Sequence, residues 1–173
     1  MPTTNYIRFF SSLIPKAFIS TSGTIEEEPA EMSLPIDDSG TQCLVCKFDH
    51  NLDKVQYPKG LFPFFNKVPG AHSMCDYIIF AQQKGQLFCL TIEMKRGRSQ
   101  THPQLHAGEL LSRFIVNTCN RINGLSLSPK YRHIAIHNCR ITKKGLTKMK
   151  PLTYCQGYAE FKGGIFEVKE CLK

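Results

Sequence analysis

Hydrophobic residues fall in short, separated runs along this chain, and two of them adjoin. CDYIIFAQQ and QLFCLTIEMK, predicted strands over about 74–82 and 86–95, are joined at Lys84-Gly85 and read as the arms of a hairpin. Their apolar residues do not alternate cleanly with polar ones, the pattern of strands covered on both faces. Upstream, TQCLVCKFD (41–49) has the β-branched and apolar content of another strand. Downstream the period becomes helical. Gln104, Gly108, Leu111, Ile115, Thr118 and Ile122 recur across 101–122, with Pro103 near the start and Gly124 just past the end. YRHIAIHNC (131–139) reads as a strand again; reached through the helix, it is expected to lie parallel to the strand before it. A last strand is expected around 165–171. The pattern as a whole predicts an α/β fold with a mixed central sheet of about four or five strands flanked by helices.

Residues between these runs read as connections. Residues 1–20 fit a short amphipathic helix or a strand, and 21–41 read as a polar, acidic linker with some mobility. Residues 50–73, rich in Pro and Gly, form a long predicted loop with Phe62, Phe64 and Phe65 as aromatic anchors. A chain of 173 residues is most simply one domain. Within it, 1–40 is an N-terminal extension, 42–140 the core, and 140–173 a basic connector with the final strand.

Charge sharpens the picture. Residues 1–40 hold two basic and six acidic side chains, a net of −4, so the other 133 residues carry +12 of the formal +8. A basic domain favours a polyanion, nucleic acid before an anionic membrane surface. No run approaches the roughly 18–20 apolar residues of a membrane span. The eight cysteines show no disulfide framework, and several lie in apolar runs, so a reducing cytoplasmic setting is expected.

The hairpin also carries candidate chemistry. With a turn centred on Lys84-Gly85, Gln83 pairs with Gln86 and Asp76 faces Glu93. Cross-strand partners place Cβ atoms about 4.5–5.5 Å apart, close enough for two carboxylates to share a cation. Lys95 returns to the face of Glu93 two residues later. Mg²⁺ accepts carboxylate oxygens, keeps several waters and takes phosphate oxygens as further ligands, so two acids suffice.

The order strand, strand, strand, helix, strand, with Asp76 on the second strand and Glu93-Met94-Lys95 ending the third, resembles the PD-(D/E)xK nuclease superfamily over roughly 42–140. The resemblance implies a restriction-endonuclease-like three-layer core in which Asp76 and Glu93 bind Mg²⁺ (or Mn²⁺) and Lys95 positions or activates the attacking water. Gln104 matches a glutamine that recurs at the start of the following helix. Cys75 stands where the name-giving proline would be. Many members add an upstream glutamate; Glu26, Glu27, Glu28 and Glu31 are all available, and no periodicity selects one.

Arg96, Arg98 and His102 follow the motif directly, and Arg140, Lys143 and Lys144, with Lys148 and Lys150, form a basic stretch without acids; these are the expected phosphate-backbone contacts. Tyr131, Arg132 and His133 lie near that stretch in sequence. Other constellations are weaker. His102 and His106 have the spacing of a zinc-protease pair, but Pro103, Gln104 and Leu105 supply no general-base glutamate. Cys43 and Cys46 have half a zinc-knuckle spacing with no second half and fall on opposite strand faces. Cys119 and Cys139 lack an activating context. The sequence thus predicts a metal-dependent nuclease, DNA preferred over RNA, with no membrane partner and with target choice depending on an oligomer or protein partner. Restriction, repair or defence is the expected setting. The alternative is an inactive nucleic-acid-binding or protein-interaction module on the same scaffold.

Overall fold

A computed structural model describes residues 4–48, 62, 64–66, 68–97, 100–137 and 149–173. Arg98, Arg140, Lys143 and Lys144, together with Cys139 and Lys148, lie outside the described residues. The fold is α/β. Among the described residues two α-helices, α1 (Ile7–Leu13) and α2 (His102–Asn123), accompany eight strands: β1 (Thr24–Glu27), β2 (Met32–Asp37), β3 (Gln42–Cys46), β4 (Tyr77–Gln83), β5 (Gln86–Lys95), β6 (Lys130–His137), β7 (Tyr158–Phe161) and β8 (Phe166–Glu167).

β3-β4-β5-β6-β7 form a mixed five-stranded sheet, antiparallel as far as β5 and parallel from β5 to β7. The expected hairpin is at its centre. Lys84 and Gly85 both adopt positive φ, 49° and 81°. Two such residues make the turn whose twist matches the flanking strands, and Gly85 adopts this conformation without Cβ strain. The register follows: Gln83 opposes Gln86, and Tyr77 opposes Ile92. The crossover through α2 returns β6 parallel to β5, as the chain order predicts.

Alternate residues of each central strand enter different cores. Ile78, Phe80 and Cys89 pack with α1 and α2, against Phe10, Leu105, Ile115 and Cys119. Tyr77, Ile79, Leu90, Ile92 and Ile134 pack on the other side against Ile25, Leu34, Phe166 and Val168. Both faces are therefore covered, which is why the strands read as continuous apolar runs. Helices cover one face only; the second is covered by a three-stranded sheet, β1-β2-β8, and a closing 3₁₀ turn over Val168–Leu172.

Four expectations need correcting. Residues 21–41 are no loose linker: β1 and β2 pair as a hairpin that buries Ile25, Met32 and Leu34. The acids between these positions mask a strand alternation only a few residues long. The final strand contracts to Phe166–Glu167, because only Ile36 and Asp37 of β2 pair with it. Beyond it Val168 and Cys171, three apart, both turn into the core, and that spacing suits a 3₁₀ helix. The buried stripe of α2 is rotated: Leu105, Gly108, Ser112, Ile115, Val116 and Cys119 face inward while Ile122 is exposed. Of the aromatic anchors only Phe62 packs against the core; Phe64 and Phe65 are exposed. β7 was not expected. Its four residues follow a tight turn at Gln156 and Gly157, both at positive φ, and are too short to show a period.

No helix among the described residues is long and apolar enough to cross a membrane. All seven described cysteines are free, and Cys43 and Cys46 pack on opposite faces of the sheet.

Candidate metal centre

Glu93 and Lys95 share the helix-side face of β5 with Cys89, two and three pleats further along. β4 begins at Tyr77, one residue after Asp76, so the backbone ladder stops just short of these residues. Asp76 extends the ladder with its side chain: the Met94 N–H donates to Asp76 Oδ2 at 2.6 Å. The carboxylate is thereby fixed at the strand end beside Glu93.

Both acids are enclosed, Asp76 at 3% and Glu93 at 1% exposure. Burial pushes the Asp76 carboxyl up to about 8, and the charge of Glu93 adds to the effect. Glu93 is also raised, first by burial, with Lys95 opposing. Lys95 Nζ lies 2.8 Å from Glu93 Oε1 with its own side chain 36% exposed, so it bridges the enclosed acids and solvent. Glu93 Oε1 is thus held by Lys95, and the Asp76 backbone also bonds the Glu93 carboxylate; the enclosed Oε2 has no partner of good geometry. Gln104, on the first turn of α2, has an enclosed Oε1 that likewise lacks a donor. Native proteins rarely leave such acceptors unsatisfied.

A third acid joins them. Glu27, at the end of β1, interacts with the charges of Asp76, Glu93 and Lys95 and engages Asp76 through a side-chain hydrogen bond. The sequence offered four upstream glutamates; the hairpin selects this one. Glu27 shares strand parity with the buried Ile25, so the spacing Ile25-x-Glu27 was the available signal. The same hairpin is tethered at its tip, where Glu31 pairs with Arg96 at 2.7 Å. Arg96 is therefore engaged with the protein itself, through an exposed and exchangeable pair, rather than standing free for a phosphate.

Packing of α2 sets the depth of the site. A Cβ at Gly108 would collide with the Cys75 sulfur and press on the Thr91 methyl, so glycine allows the helix to approach the sheet directly behind Asp76. Thr91 Oγ1 is 2.8 Å from His133 Nδ1, and His133 Nε2 is 2.7 Å from Glu109, which lock β5, β6 and α2 together. His102 is exposed and stacks on Tyr158 at 4.5 Å.

Asp76 and Glu93, with Glu27 alongside, form a donor set of hard carboxylate oxygens. Among the described residues no three or more His, Cys, Asp or Glu side chains are placed to hold one metal ion together, so a cation here would take its protein ligands from the Asp76–Glu93 pair. Two carboxylates would suit Mg²⁺ or Mn²⁺, which retain waters and take substrate oxygens as further ligands, and do not suit structural zinc. Comparison with protein-family models, with curated proteins and with solved structures gives no match.

Proposed function

We propose that this chain is a metal-dependent nuclease that hydrolyses phosphodiester bonds of nucleic acid, DNA preferred, on a restriction-endonuclease-like core. The observation that supports it most strongly is the acid pair itself: two enclosed carboxylates side by side, one raised to about 8 by burial and by the charge of the other. Such an arrangement costs stability in isolation and is relieved by a cation.

Asp76 and Glu93 would hold that cation. When bound, it lowers the pKa of a coordinated water and offsets charge on the phosphate. The Met94 N–H keeps Asp76 oriented throughout. Lys95 has its pKa raised, chiefly by its hydrogen bond to Glu93, so it stays an ammonium. It therefore acts as a donor that orients the attacking water and the phosphate, and not as a general base. Gln104, whose enclosed Oε1 has no donor, would accept a hydrogen bond from that water. The basic balance beyond residue 40 draws the substrate strand in.

A second reading has its own support. Leu110 and Phe114 are exposed on adjacent turns of α2, with Phe114 at 68%, which favours a protein-interaction module. One experiment separates the two. Supercoiled, linear and single-stranded DNA and RNA are incubated with wild type, Glu93→Ala and Lys95→Ala in Mg²⁺, Mn²⁺ or EDTA. The nuclease reading expects cleavage only with divalent metal, reduced ~100-fold or more in both variants. Cleavage that persists unchanged in both would refute the site, and no cleavage in any metal would favour the interaction module.

A further inference from the structure

The outer face of α2 carries an ordered row of side chains. Leu110, Phe114, Thr118 and Ile122 stand four residues apart, the spacing of a ridge along a helix surface. At the helical rise the row runs about 18 Å. Leu110, Phe114 and Ile122 are 56%, 68% and 53% exposed, although the same helix packs Leu105, Ile115 and Cys119 into the core. They are three of the six large apolar side chains exposed among the described residues, gathered on one helix. Single exposed apolar residues need no explanation, but a contiguous row marks a contact surface.

Charge selects the partner. The neighbouring row, again four residues apart, is Arg113, Asn117 and Arg121, all exposed. The one acid of α2, Glu109, is only 13% exposed and is held by His133 and Arg113. Arg121 makes no ion pair among the described residues. α1 packs beside α2 and adds an exposed Arg8 with no acid. Residues 4–20 and 101–130, which hold both helices, contain five basic side chains and Glu109 as their sole acid. The face is an apolar ridge with a cationic flank, complementary to an acidic surface that has apolar side chains of its own.

Other occupants fit less well. Two copies of α2 face to face would set arginine against arginine. The acidic β1–β2 hairpin of a second copy has no exposed large apolar side chain to meet the ridge. A lipid surface would leave the Asn117 amide, between Phe114 and Arg121 in the chain, without a partner in an apolar medium, whereas protein interfaces supply hydrogen bonds at about one per 100–200 Å². Nucleic acid stacks on flat rings, which Leu110 and Ile122 lack.

We propose that the outer face of α2 docks an acidic amphipathic helix of a partner protein, whose apolar row seats beside the Leu110–Phe114–Ile122 ridge while its carboxylates meet Arg113 and Arg121. Helices pack by setting such ridges into each other's grooves. The surface is on the side of α2 away from Gly108 and Cys75, and the proposal holds whether or not the acid centre cleaves nucleic acid.

The test screens the folded protein against a displayed library of amphipathic helical peptides. Their apolar face is fixed as leucine, and the flanking positions are randomised among glutamate, lysine and glutamine. Selected peptides are expected to be rich in glutamate. In fluorescence anisotropy they should lose ~10-fold or more in affinity for Phe114→Ser and for Arg121→Glu, while thermal unfolding of both variants stays close to wild type. Replacing glutamate by lysine in a selected peptide should make it prefer Arg121→Glu over wild type. A library that yields no binder, selected peptides without acidic bias, or binding that ignores both substitutions would each overturn the proposal. So would dimerisation of wild type, attachment to phosphatidylserine vesicles or binding of an oligonucleotide that Phe114→Ser abolishes, because each assigns the ridge to another occupant.

Discussion

Asp76 is held in a state that a carboxylate avoids when it has a choice. In the unfolded chain it ionises near its ordinary 3.8, whereas in the fold burial and Glu93 raise it to about 8. The folded protein therefore holds more protons than the unfolded chain between these values, and its stability falls as pH rises through that window. Below about pH 4 the penalty is absent; above about pH 8 it is complete. Asp76→Asn keeps an acceptor for the Met94 N–H and removes the charge. It is expected to make the metal-free protein more stable by at least ~1 kcal/mol at pH 9, with a smaller gain at pH 5. Urea unfolding at the two pH values checks this, and an equal or opposite difference would contradict it. The same variant should not cleave. At Lys95 the expectation is a split: Lys95→Met should retain divalent-ion binding but lose ~100-fold or more in kcat, as single-turnover cleavage can show.

At the scale of elements, α2 and the β1–β2 hairpin place the site, and they differ in how far the sequence revealed them. The Lys84-Gly85 turn and the register from Gln83–Gln86 to Tyr77–Ile92 could be read because a two-residue turn leaves one pairing; the ladder stops one residue short of Asp76 and Glu93. Helix boundaries were legible from Pro103 and Gly124, the latter in the left-handed conformation that ends α2. The inward stripe was not, since Ser112 is buried and Leu110 and Phe114 are exposed, against their polarity. Glu27 could not be chosen from four acids because its position depends on a tertiary contact, and the four-residue strand carrying it is shorter than any periodicity window. Gly108, by contrast, has a consequence at this scale. Gly108→Ala should push α2 off Cys75 and destabilise the fold by roughly 1–3 kcal/mol. Adding Cys75→Ala should recover part of that loss, a coupling measurable by a double-mutant cycle in urea. Additive effects would show that the close approach does not constrain the helix.

For the whole molecule, the fold presents one enclosed, acid-lined strand end within a chain of net charge +8. Nucleic-acid affinity of the metal-free protein is expected to fall linearly in log–log terms with salt, the response of phosphate binding driven by counterion release. A flat response in a fluorescence-anisotropy titration would locate binding elsewhere than in charge. The central claim is that Asp76 and Glu93 are enclosed together to hold a divalent ion, and calorimetric titration of Mn²⁺ into wild type, Asp76→Asn and Glu93→Gln addresses it most directly. Wild type should bind one ion near pH 7 with release of the Asp76 proton, seen as a heat that depends on the buffer's ionisation enthalpy, and with affinity that weakens as pH falls. Both variants should lose that event. Mn²⁺ binding that survives in both, or no binding and no proton release in wild type, would contradict the claim.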